Sequence, residues 1–344
     1  MPRDLCFDDV VHAYRWILGR EPESTDIVGE QARGAADARS LRASLLNSAE
    51  FRRTFLDIEP LGPSRPLAAP PIERLVFLHV PRSGGTTLHD LLAAAVGGEN
   101  MCAVRHNHLW RCLATDLSRA RVFCGHYDRD CLSVIPGARI KVATMLREPR
   151  SRLISLYAYL RAHRPETIAP ANLDLAGAAR RYGLADFLEA ALEINPAAVD
   201  NPCLRTFGGW LPHRRWEQAA EPSAPKALAD FGYPIEELVQ RARTFLDDMA
   251  AIGILEQFEE SAHSIFTAFG LGVPPPVGAL HSLESLVKGN QAFEPVQLEA
   301  ITRSDARRID EMTHYDAQLY VHAKNLLARA IDARTDRRRE ALSA

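Results

Sequence analysis

The densest run of chemistry-bearing side chains is Pro81-Arg82-Ser83-Gly84-Gly85-Thr86-Thr87. It follows an apolar run, Arg74–Val80, and precedes Leu88, Leu91, Leu92 and Val96, which repeat at helical spacing. A strand, a Gly-Gly turn and a helix together aim backbone N–H groups and the positive end of the helix at an anion. Gly84 and Gly85 permit positive φ and close approach of a ligand to the backbone. Thr86 and Thr87 add hydroxyl donors, and Arg82 adds a fixed cation. A second candidate is His126, in Val122-Phe123-Cys124-Gly125-His126-Tyr127. It follows a short apolar strand, and an imidazole suits proton abstraction near neutral pH. His106 and His108, in Arg105-His106-Asn107-His108, are candidates for binding a second substrate; two ligands alone make no metal site. His79, on the strand before the turn, reads as a structural residue.

Two common nucleotide motifs are excluded. The triphosphatase loop needs a lysine after its last glycine, and none follows Gly85. The G-x-G-x-x-G fingerprint is missing as well. The net charge of -3 argues against nucleic acid as the partner. Arginine dominates the cations: four of the 41 basic residues are lysines (Lys141, Lys226, Lys288, Lys324) and 37 are arginines, whose forked donors match flat oxyanions. Six cysteines without a CxxC pair predict reduced thiols and a cytoplasmic protein. No apolar run approaches the ~18 residues a membrane span needs, and the N-terminus has no secretory pattern.

These residues need a frame. Short apolar runs at Arg74–Val80, Arg121–Cys124, Ile140–Leu146 and Ala251–Leu255 predict buried parallel strands. Helical periodicity follows at Ser151–His163, Leu184–Leu192, Ile235–Met249, Phe258–Phe269 and Ser304–Leu327. The alternation predicts an α/β fold, a doubly wound parallel sheet that binds ligands at the carboxyl ends of its strands. Ahead of it, residues 1–58 predict a small all-α domain: Val10, Val11, Tyr14, Ile17 and Leu18 form one stripe, Leu41, Leu45, Leu46 and Phe51 another. A helix cap is expected at Ser24, Thr25 or Asp26. Proline-rich residues 59–72 read as a linker, 73–330 as the α/β domain, and the Arg-rich 331–344 as a fraying tail.

Phe77-Leu78-His79-Val80-Pro81-Arg82-Ser83-Gly84-Gly85-Thr86-Thr87-Leu88 is similar to the 5′-phosphosulfate loop of the sulfotransferases that modify glycans. Leu146-Arg147-Glu148-Pro149-Arg150-Ser151-Arg152-Leu153-Ile154-Ser155 resembles their second signature. The likeness extends through Ala251–Gln257 and 316–327. It implies 3′-phosphoadenosine-5′-phosphosulfate (PAPS) as co-substrate, held at Arg82, Ser83, Gly84, Gly85, Thr86 and Thr87, with Arg147 and Ser155 on the 3′-phosphate. Gly125-His126 is similar to the catalytic histidine of the heparan 2-O type, which makes His126 the expected base and Arg82 its catalytic partner. Other branches use a glutamate, so Glu148 is the alternative base. Arg82-Ser83 stands where the 2-O branch usually has lysine and threonine, and is similar to the tyrosyl-protein branch; the acceptor class stays open. Asp200–Trp210 resembles a loop near the acceptor, with Arg205 on an anionic sugar, helped by Arg214, Arg215, Trp210 or Trp216. Lys288-Gly289-Asn290 sits where relatives place a further PAPS contact. Residues 14–22 and 46–51 resemble a small helical domain of unknown function found in bacterial proteins, often beside glycan-modifying domains.

The expected reaction is therefore in-line transfer of a sulfuryl group from PAPS to a hydroxyl of a carbohydrate, with charge stabilisation as the main source of rate. The leaving group is already a good anion, so no metal is expected. Two other readings use the same residues: a nucleotide-binding or phosphotransferase protein, and a non-catalytic sulfotransferase-like scaffold.

Overall fold

The computed structural model of the protein describes residues 5–35, 37–51, 73–106, 109, 112–137, 139–209, 228–231, 233–276 and 282–343. Contacts divide the chain into two compact units, Met1–Pro71 with Arg111–Ser118, and Ile72–Trp110 with Arg119–Ala344. The linker read over 59–72 lies outside the described residues.

In the first unit, helix α1 (Phe7–Ala13) runs into a π-helical turn, Tyr14–Leu18, that stops at Gly19 with φ 70°. Helices α2 (Thr25–Gly34) and α3 (Ala38–Leu46) follow. Each starts on a side-chain cap: Ser24 Oγ accepts from the amide of Ile27 at 3.3 Å, and Asp37 from that of Ser40 at 2.7 Å. Val10, Tyr14, Leu18, Val28, Leu41 and Leu45 meet in one buried cluster, as the two apolar stripes require.

The second unit is α/β. Four parallel strands, β1 (Glu73–Leu78), β2 (Val122–Gly125), β3 (Arg139–Leu146) and β4 (Ala251–Ile254), pair in the order β2-β1-β3-β4. The central strand, β1, is buried on both faces, which explains its unbroken apolar run. Leu75, Phe77, Val122, Cys124, Ala143 and Met145 alternate onto one face. There they join Leu88, Leu91 and Leu92 of α4 (Gly85–Val96), together with Phe258, Ala262, Ile265 and Phe266 of a helix after β4. A second cluster gathers α5 (Pro149–Arg161), α6 (Asp174–Arg181) and α7 (Leu184–Ile194) around Leu153, Leu156, Phe187 and Leu188.

Further helices are α8 (Pro202–Gly208), α9 (Ile235–Asp247), α10 (Phe258–Phe269), α11 (Leu283–Gly289) and α12 (Arg303–Ser343). The last helix buries Ile309, Met312, Leu319, Ala323 and Leu327 at helical spacing. Its backbone is helical to Ser343, through most of the stretch that reads from sequence as a tail over 331–344. Arginine, alanine and glutamate are good helix formers, so the charge of this stretch does not break the helix. Among the described residues no helix is long and apolar enough to cross a membrane.

Candidate active site

The chain leaves β1 toward β2 on one side and returns to β3 on the other, so the sheet order reverses at β1. Crevices that bind ligands open at such points, beyond the carboxyl ends of the strands. The register makes this concrete: Leu78 lies opposite Gly125 on β2 and opposite Thr144 on β3. Whatever follows these three strand ends projects from the same edge, namely the 79–87 loop, His126 and Arg147.

The loop after β1 is built around missing side chains. Gly84 has φ 80° and caps α4; a Cβ there would come within 2.6 Å of Leu255 Cδ1. At Gly85 a Cβ would lie 2.0 Å from the ring of His79. Arg82 also adopts positive φ, 67°, a strained setting for a side-chain-bearing residue. Helix α4 starts at Gly85, and amides in its first turn have no carbonyl four residues back within the helix to donate to. The helix end therefore presents donors and positive potential to the crevice.

The strand-β3 side supplies a second grip. Arg147 follows β3 and donates through Nη1 to the carbonyl of Arg82, 3.3 Å. Ser155, on α5, accepts from Arg82 Nε at 3.3 Å. The Arg82 guanidinium also lies over the ring of Tyr159, 4.6 Å from its centroid. Burial lowers the pKa of Arg82, opposed by Tyr159 and reinforced by Arg147, yet arginine stays cationic across the physiological range. Glu148 follows Arg147 and caps α5, accepting from the amides of Arg150 (3.1 Å) and Ser151 (2.7 Å). Burial alone would raise its pKa, but the hydroxyl and amide of Ser151, the amide of Arg150 and the Arg150 charge together hold the carboxylate below its ordinary value.

His126 follows β2. A Cβ at Gly125 would lie 2.5 Å from the carbonyl of Arg105, so glycine is required before the histidine. His126 Nδ1 is 2.8 Å from the carbonyl oxygen of His79. A carbonyl can only accept, so Nδ1 carries the hydrogen and Nε2 keeps its lone pair when the ring is neutral. Burial lowers the pKa of His126 and keeps the ring neutral; the His79 carbonyl opposes this, while His106 and Arg105 add to it. The ring stacks on His79 at 4.3 Å and on His106 at 5.6 Å between centroids.

A cleft of about 710 Å³ brings Arg82, Gly84, Gly85, Thr86, Thr87, His126, Arg147 and Ser155 together. Its other walls are apolar or aromatic, among them Leu255, Leu286, Tyr159 and Phe293, with Ser282 and Asn290 at the α11 side. Of the residues expected here, Ser83 is wholly buried, does not line the cleft and has no hydrogen-bond partner for Oγ among the described residues. His106 is exposed and pairs its backbone with His126, outside the lining. His108, Trp210, Arg214, Arg215 and Trp216 lie outside the described residues. Lys288 is exposed and engages Glu284 at 2.6 Å, leaving Asn290 as the member of its tripeptide in the cleft.

Of the segment that resembles a loop near the acceptor, residues 200–209 are described, and they hold helix α8. Asp200 takes the buried Arg205 guanidinium in an ion pair, and its carbonyl accepts from Arg205 Nε at 2.6 Å. Asn201 enters the ladder of α12: its amide donates to Met312 O, and its Oδ1 accepts from the amides of Tyr315 and Asp316. Asp316 in turn accepts from the amides of Cys203 and Leu204 at the start of α8. A short helix beginning at Pro202 after an asparagine reads as loop because its cap comes from α12 rather than from its own sequence. Tyr159 escaped the sequence reading, although it lies four residues after Ser155 on the same helix face.

No protein-family model matches the chain, and no curated protein matches it by sequence.

Proposed function

We propose that the protein is a cytoplasmic sulfotransferase that moves a sulfuryl group from PAPS to a hydroxyl of a carbohydrate acceptor, on a P-loop-like doubly wound fold. One observation carries the reading. Two anion grips, the Gly84–Thr87 helix start and the Arg147–Ser155 pair, share one cleft with a neutral histidine whose Nε2 lone pair is available.

The residues present fit this co-substrate. Arg147 and Ser155 are suited to the 3′-phosphate: Arg82 Nε donates to Ser155 Oγ, so the serine keeps its own hydroxyl hydrogen to give to an anion. The first-turn amides of α4, with Thr86 and Thr87, are suited to the 5′ side. Leu255, Leu286 and Phe293 offer an apolar wall for a purine. Bound PAPS would supply an activated sulfuryl group and a good leaving anion. Arg82 stands between the two grips and can stabilise charge that builds as transfer proceeds; it cannot shuttle a proton. His126 Nε2 accepts the hydroxyl proton. The capping role of Glu148 disfavours it as the base.

The direct test is transfer of labelled sulfate from PAPS to a panel of glycans. Transfer to a hydroxyl that is lost in Arg82→Ala supports the reading. Tight binding of adenosine 3′,5′-bisphosphate with no transfer to any acceptor favours a non-catalytic scaffold.

A further inference from the structure

The His79 imidazole is buried, yet it lines the cleft and lies between the anion loop and His126. Its ring occupies the space a Cβ of Gly85 would need, 2.0 Å away, and stacks on His126 with centroids 4.3 Å apart and planes inclined by 29°. Its carbonyl fixes the hydrogen of His126 on Nδ1. Its own Nδ1 is buried and has no hydrogen-bond partner among the described residues. A histidine kept only for packing would be expected to satisfy both ring nitrogens. This one places an uncharged aromatic face under the ring that must gain a proton.

We infer that His79 is a positioning residue: its ring spaces the Gly84–Gly85 loop from His126 and serves as the π-face on which the His126 imidazolium is accommodated. The assignment rests on the sulfotransferase reading, in which His126 Nε2 takes the proton of the acceptor hydroxyl and becomes the imidazolium. A cation over an aromatic face is stabilised most when both are removed from water, as here. The charged groups that act on the pair include Arg105, Arg82, His106 on the neighbouring bridge and His89 on α4, with Asp90 beside His89. The His79 carbonyl at Nδ1 already favours the new charge, and the stacked ring adds a second favourable contact from the same residue.

The test uses the full chain with ¹⁵N-labelled histidine and two substitutions, His79→Phe, which keeps an aromatic face, and His79→Leu, which does not. The His126 resonances are assigned from their loss in His126→Asn. The expected spectrum of the parent protein shows His126 with hydrogen on Nδ1 and a bare Nε2. His79→Leu is expected to move the titration midpoint of His126 downward and to lower kcat by roughly 3- to 30-fold. His79→Phe is expected to retain both midpoint and kcat. The inference is overturned if the midpoint is the same in His79→Leu as in the parent, or if both variants shift it alike. The spectrum reads His79 without turnover: absence of sulfate transfer in the parent protein defeats the sulfotransferase reading, while the His126 midpoints still decide the stacking role.

Discussion

Arg82 and Ser155 are joined by a 3.3 Å hydrogen bond across 73 residues of sequence, tying the loop after β1 to the first helix after β3. With Arg147 holding the Arg82 carbonyl at 3.3 Å, this closes the two sides of the topological switch into one site. Each variant that opens this clasp has a distinct expected signature.

Arg147→Ala removes the cation expected on the 3′-phosphate. Binding of adenosine 3′,5′-bisphosphate should weaken by about 1.5–3 kcal/mol, the range for a hydrogen bond to a charged group. Ser155→Ala should cost less, about 0.5–1.5 kcal/mol. Titration calorimetry checks both, with adenosine 5′-monophosphate as the control ligand that should register neither change.

His126→Ala should lower kcat by roughly 10²–10⁴ while leaving bisphosphate affinity intact. If both fall together, the histidine holds up the site rather than acting in it. The pH profile has a definite sign. His126 must be neutral to accept a proton and burial lowers its pKa, so the acid limb of kcat should fall below the ordinary histidine value of about 6.5.

Stability should follow the same histidines. Burial lowers the pKa of both His79 and His126, so below about pH 6.5 the unfolded chain binds protons that the folded chain refuses. Their contribution is fully present above that pH and is lost as pH falls toward their depressed folded values. Thermal melts from pH 8 down to pH 5 should show Tm declining over the lower half of the range, and less steeply in His79→Phe.

Gly85→Ala forces a methyl group to within 2.0 Å of the His79 ring, and neither the strand nor the helix beside it can yield without moving the loop. The cost should be about 1–3 kcal/mol of stability. Loss of bisphosphate binding should accompany it, measured by melting and calorimetry on one preparation. A neutral outcome would mean that the His79 ring is not held where it lies.

Glu148→Ala separates the two candidate bases. Removing an N-cap costs about 0.5–2 kcal/mol, so the melting temperature should drop while kcat stays within a few-fold of the parent. A loss of kcat comparable with that of His126→Ala would transfer the role of base to the glutamate.

Much of this arrangement was legible from residues. The β1 run, the Gly-Gly turn and the Leu88–Val96 stripe are local signals, and each became the element its periodicity implies. The convergence of Arg82, His126, Arg147 and Ser155 was also accessible, because parallel strands deliver their carboxyl ends to one edge. What sequence could not give were partners supplied from a distance. Sequence does not reveal that Asp200 pairs with Arg205, and α8 reads as a loop because its first amides are met by Asp316 from another helix. The burial of Ser83 depends on how the turn faces the sheet, which residue type alone does not specify.

The most direct measurement is comparative binding of three nucleotides to the intact protein: adenosine 3′,5′-bisphosphate, adenosine 5′-monophosphate and ATP. The account predicts tightest binding for the bisphosphate, with its advantage over the monophosphate abolished in Arg147→Ala. Tighter binding of ATP than of the bisphosphate, or an advantage that survives the loss of Arg147, would contradict it.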